Sequence, residues 1–191
     1  MNQFKIFQEA LEKMYPSLTE FSDLNWDEVS REYIASHDQR PKDIEEFVFD
    51  FPQYLQDKAI AGDSPAYLFE LAFFELLQGQ IIATTLTFPF QQGIFLNPSL
   101  SFLNLEYDVS LMMDEATKGN VQIIERPHVL CIYRHPRLGL HHVDVTSPML
   151  EVLQALEKGP VNSRSDFPAL QQKTLSSLIE LGIVLEINGQ A

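Results

Sequence analysis

Along the first ninety residues, apolar side chains recur at spacings of three and four, the signature of one-sided helices. Phe4, Phe7 and Leu11 make one such stripe. Asn25 followed by Glu28 is a capping-box pattern that opens a second helix through Trp26, Val29, Tyr33 and Ile34; His37, Arg40 and Pro41 mark its end. The spacing then predicts a short helix from Asp43 to about Phe49 and a fresh start at Pro52, a residue suited to a first helical turn. The strongest helix follows in GDSPAYLFELAFFELLQGQIIATT, with Ser64 as cap and Pro65 in the first turn. Tyr67, Leu71, Phe74 and Leu77 line one face and Leu68, Ala72 and Phe73 widen it, which puts this helix at the centre of a bundle.

Beyond Thr85 the period changes. Gly93 and Asn97-Pro98 punctuate a stretch rich in Phe, Leu and Pro. SFLNLEYD then alternates Phe102, Asn104 and Glu106 against Leu103, Leu105 and Tyr107, the period-two pattern of a strand. DVSLMMDEATKGN reads as about two helical turns ended by Gly119. HVLCIYR and LGLHHVDVT read as a hairpin across HPRLG. A helix from Pro148 to Glu157, another from Asp166 to Leu181 stopped by Gly182, and the strand IVLEI complete the order. The expected fold class is α+β: a helical subdomain over 1–90, then a winged-helix-like subdomain with a small antiparallel sheet over 91–191.

Composition narrows the function classes. With 45% hydrophobic residues in 191, the chain can bury a core. The longest apolar run, around Tyr67 to Ile82, is interrupted by Glu70, Glu75, Gln78 and Gln80, so no membrane span is expected. No signal peptide is visible at the N-terminus, and the lone Cys131 cannot form an internal disulfide, so the expected location is the cytoplasm. The net charge of −14 is concentrated early: residues 1–90 carry 16 acidic and 6 basic side chains, residues 121–191 carry 7 and 6. Such a field repels phosphate backbones, which makes nucleic acid an unfavourable partner and a basic protein face a favourable one.

One stretch concentrates the reactive residue types. HVLCIYRHPRLGLHHVDVTSP holds Cys131, His128, His135, His141 and His142. A metal site finds no support: His141 and His142 point to opposite faces of a strand, and no Cys-x-x-Cys or His-Glu-x-x-His spacing occurs. Cys131 sits between Leu130 and Ile132, the setting of a buried structural cysteine and not of a nucleophile. Glu70 and Glu75 lie about 140° apart around a helix, so they are not neighbours on one face; Glu75 is expected to be a solvated or paired structural glutamate, with burial against an arginine or contact to a partner as the alternatives. DNA recognition would need a basic second helix, and DFPALQQKTLSSLIELG offers Lys173 alone. A sheet edge that accepts an extended peptide asks least of these residues.

Several aromatic and proline placements resemble a bacterial family long catalogued as a DNA-binding domain. They are Tyr15-Pro16, Tyr33, the stretch Phe47 to Leu55, Glu70-Leu71-Ala72 with Glu75, Leu96-Asn97-Pro98, the Ile132-Tyr133-Arg134 of the hairpin, and Leu181-Gly182-Ile183. The resemblance covers roughly residues 12–187 and rests on loose motifs. Members of that family are similar to partner proteins of multinuclear iron-dependent oxidases, which modify cysteine-containing precursor peptides. The resemblance implies a non-catalytic subunit with no cofactor or metal of its own. Its helical part would dock a TIM-barrel oxidase, and its winged part would hold the leader of the peptide. Little precedes Tyr15-Pro16 here, whereas longer members carry a further N-terminal helical segment.

On this reading the peptide contacts are expected at Tyr133, Arg134, His135, Arg137, Leu140, His142 and Lys173. The oxidase contact is expected among Trp26, Phe49, Phe51 and Tyr54, residues that would equally serve a hydrophobic core. A winged-helix transcriptional regulator is the alternative, and a small enzyme with an unrecognised site a third class.

Overall fold

A computed structural model describes residues 3–21, 25–36, 43–87 and 92–187. Its helices are α1 (Gln3–Met14), α2 (Trp26–Ser36), α3 (Ile44–Ala61), α4 (Ala66–Ala83), α5 (Val109–Thr117), α6 (Ser147–Glu157) and α7 (Ala169–Glu180). Its strands are β1 (Gly93–Leu96), β2 (Ser101–Tyr107), β3 (Glu125–His135), β4 (Gly139–Asp144) and β5 (Val184–Ile187). The fold class is α+β, as the periodicities predict. The expected strand SFLNLEYD, the short helix after it and the closing helix, helix, strand order all appear. His37, Arg40 and Pro41 lie outside the described residues.

The chain divides into two compact units, and neither is continuous. One comprises residues 1–79 with 105–127, the other 80–104 with 128–191. A single cut at residue 90, as expected from the change of period, does not follow the packing. The elements α4, β2 and β3 each run from one unit into the other.

The first unit is built on aromatic packing. Phe7 stacks at 4.6 Å on Phe47, Tyr33 lies 4.7 Å from Phe47 and 4.9 Å from Phe51, and Tyr15 lies 5.3 Å from Phe51. Such tilted pairs add to the burial of large rings. Where two helices were expected, one helix runs unbroken from Ile44 to Ala61 with Pro52 inside it. Proline has no N–H for the carbonyl four residues back, Val48, and that carbonyl accepts instead from the Tyr15 hydroxyl at 2.6 Å. The Tyr33 hydroxyl donates to the Phe47 carbonyl beside it. Tyr15 thus supplies the donor that Pro52 withholds from Val48. Burial pushes both phenols well above the ordinary tyrosine range.

The acidic residues of α4 serve the main chain. Glu70 accepts from the N–H groups of Glu106 and Tyr107 at 3.0 to 3.1 Å. Glu75 accepts from the Ser17 N–H at 3.0 Å, so neither an arginine nor an acid-base partner holds it. The other Glu75 oxygen is buried without a partner among the described residues. Burial pushes this carboxyl up to about 7, against the lowering effect of the Ser17 bond. Ser64 does not cap α4, for its hydroxyl is buried without a partner among the described residues, and the Leu68 N–H bonds to the Pro65 carbonyl. By length and composition α4 is apolar enough to cross a membrane, but half of it is buried within the fold.

The strands fall into two sheets. β1 pairs antiparallel with β5, and β2, β3 and β4 form a separate three-stranded sheet. The last strand therefore returns to β1 and not to the hairpin, contrary to the single small sheet expected. The core of the second unit gathers Cys131 and Tyr133 of β3, Val152, Leu153 and Leu156 of α6, Leu175 and Leu178 of α7, and Ile94, Ile183 and Val184.

Candidate functional site

Two glycine and asparagine positions fix the hairpin against the α7–β5 turn. Gly182 has φ +73°, a conformation that favours glycine, and the ring of His135 rests on it. A Cβ there would lie 2.5 Å from His135 Cδ2. Asn97, 2% exposed, donates from Nδ2 to the carbonyls of Arg134 (3.0 Å) and Gly182 (2.8 Å). Its Oδ1 accepts from the N–H and hydroxyl of Ser99, and the same hydroxyl accepts from the Arg134 N–H at 2.8 Å. The Tyr133 hydroxyl donates to the Leu181 carbonyl at 2.7 Å. Each carbonyl of the 181–183 turn is thereby occupied, the third by the Asn97 N–H. The turn is a closed polar network, and buried networks satisfied in this way hold one geometry.

Between the hairpin turn and β5 the surface forms a groove of about 540 Å³. His135, Pro136, Arg137 and Leu138 make one wall; Ile179 and Glu180 of α7 and Val184, Leu185 and Glu186 of β5 make the other, with Gly182 where they meet. The main chain of Ile94 exchanges hydrogen bonds with Val161, at 2.7 and 2.9 Å, and so faces away from β5. Ile94 pairs with Glu186, and antiparallel pairs alternate between bonded and non-bonded. Leu185 and Ile187 therefore bond to β1, while the main-chain groups of Val184 and Glu186 point outward. No partner for those outward groups is found among the described residues. Val184 is 1% exposed, so the outer edge of β5 meets the groove at Glu186.

Charge on the two walls is unequal. Arg164 grips Glu186 through Nε (2.9 Å) and Nη2 (2.6 Å), and this pairing holds the Glu186 carboxyl below its usual range. Arg137 on the opposite wall makes no ion pair among the described residues, and neither does Glu180. The Nδ1 of His135 accepts from the N–H groups of Arg137 and Leu138, both at 3.1 Å. Those bonds assign the neutral ring its proton on Nε2 and lock the turn.

The residues expected to bind peptide are therefore dispersed. His135 and Arg137 line the groove. Tyr133 is 2% exposed and belongs to the core; burial, with Cys131 adding a smaller effect, pushes its phenol up to about 12. Arg134, Leu140 and His142 share the opposite hairpin face, since Arg134 pairs with Leu140 and Ile132 with His142. Arg134 borders a different pocket, of about 490 Å³, together with Ile82 to Leu86. Lys173 is exposed on α7 and does not line the groove. The groove's other residues, Ile179, Glu180, Val184 and Glu186, carry no motif; only Gly182 signalled a close approach, and it also reads as an ordinary helix stop.

Of the four aromatics expected at a partner surface, Phe51 is wholly buried. Trp26 is half-buried and donates from its ring nitrogen to Glu12 at 3.2 Å. Tyr54 is half-buried and donates to Glu32 at 3.2 Å, beside the Lys58–Glu32 pair at 2.9 Å. Phe49 borders an apolar hollow of about 530 Å³ with Ala10, Met14, Ile44 and Val48. Cys131 is fully buried, and burial pushes its thiol up to about 12, far from a nucleophile's range. His135 and His141 come within 5.6 Å, but no group of three metal-ligating side chains is found among the described residues.

No family model matches the chain, and no curated protein matches it significantly.

Proposed function

We propose that this protein is a non-catalytic peptide-binding partner, one that holds the leader of a short cysteine-bearing precursor in the cytoplasm and presents it to an iron-dependent TIM-barrel oxidase. The observation that carries the binding half of this reading is the outward edge of β5 at Glu186, along its groove. An extended peptide can pair there, drawing affinity from the main-chain groups of Glu186 and selectivity from the walls. The buried cysteine and the two glutamates that accept from main-chain N–H groups serve the fold. The oxidase half rests on the family resemblance, with the hollow beside Phe49 as the candidate contact.

The test is a pull-down of the tagged chain from its native lysate, with the eluate assayed by mass spectrometry and for iron. Co-elution of an iron-containing barrel enzyme and a short cysteine-bearing peptide is expected. Retention of duplex DNA at physiological salt, with neither of those, would overturn the reading in favour of a regulator.

A further inference from the structure

The β5 groove has a charge pattern of its own. Two of its charges make no ion pair among the described residues, are opposite in sign and come from different elements: Arg137 on the hairpin turn and Glu180 at the end of α7, the latter within electrostatic reach of Arg164. They line one groove yet form no ion pair with each other, and the third charge, Glu186, is already held by Arg164. Between them the surface is apolar, with Leu138 (71% exposed) and the half-buried Ile179. Building on the peptide-binding reading, we propose that the occupant is an extended peptide segment in which an apolar side chain lies between one acidic and one basic side chain. The acid pairs with Arg137 and the base with Glu180. A uniformly acidic or uniformly basic segment leaves one wall facing a like charge, and like-charge juxtaposition is how a binding surface rejects wrong partners. The outward main-chain groups of Glu186 accept any sequence, so selection falls to these two side chains and to the apolar floor.

The test uses the full chain and a phage-displayed library of random ten-residue peptides. Enriched sequences are expected to share an apolar residue with Asp or Glu on one side and Lys or Arg on the other. With R137E the acidic position is expected to shift to Lys or Arg; with E180K the basic position shifts to Asp or Glu. Both side chains are solvent-exposed, and circular dichroism checks that each variant keeps its fold. Enrichment without a charge preference, or a preference that neither variant moves, overturns the charge assignment while the peptide-binding reading stands. Absence of enrichment over an unrelated acidic protein overturns both.

Discussion

At the scale of single residues, the buried carboxyl of Glu75 makes stability depend on pH. Its folded-state value of about 7 lies above the ordinary 4.5, so folding takes up a proton between those values. The contribution is fully present below about pH 4.5, declines as pH rises, and is lost above about 7, a span worth about 3 kcal/mol. Urea unfolding at a series of pH values should show this decline, and E75Q should abolish that part of the slope while keeping the acceptor for the Ser17 N–H. Asn97 is the second sensitive position. N97A strips the carbonyls of Arg134 and Gly182 of their donor, and leaving buried groups unpaired costs about 3 kcal/mol in all. Denaturant titration measures that loss. In the sequence, Asn97-Pro98 announced a turn; that the amide ties three segments together depends on pairings 37 and 85 residues away, which no local pattern encodes.

At the scale of elements, α3 shows where local rules were outvoted. Proline favours a helix start, so the spacing predicted a break before Pro52; in the observed helix Tyr15 supplies the missing donor to Val48 from elsewhere in the fold. Y15F is expected to cost about 1 to 2 kcal/mol, since the Val48 carbonyl loses its donor. In a P52A background the restored N–H can serve that carbonyl, so Y15F should cost less there. A double-mutant cycle by chemical denaturation gives the coupling, and equal costs in both backgrounds would rule out this account. The hairpin strands and α7 were legible from period alone. The assignment of β5 to β1 was not, because β pairing is a choice among edges and both candidate edges read alike in sequence.

At the scale of the whole molecule, the two units are interleaved along the chain. Residues 105–127 belong with the first seventy-nine, and their main-chain N–H groups at Glu106 and Tyr107 are what Glu70 accepts from. A fragment of residues 1–90 leaves that buried carboxylate without those donors, so it is expected not to fold cooperatively, although 1–90 is where the helical period ends. Thermal unfolding followed by circular dichroism should show a broad, non-cooperative transition for the fragment and a sharp one for the full chain.

The sequence by itself determined the α+β class, most of the elements, the acidic early half and the inert setting of Cys131, because periodicity, composition and neighbouring residue types are local properties. The tertiary structure decided which strand edge stays open, which histidine locks the turn and which aromatics are buried. Those depend on contacts between residues far apart in the chain. His135 became a groove wall only because Gly182 has no side chain to keep it away, and a glycine after a helix looks the same whether solvent or an imidazole rests on it.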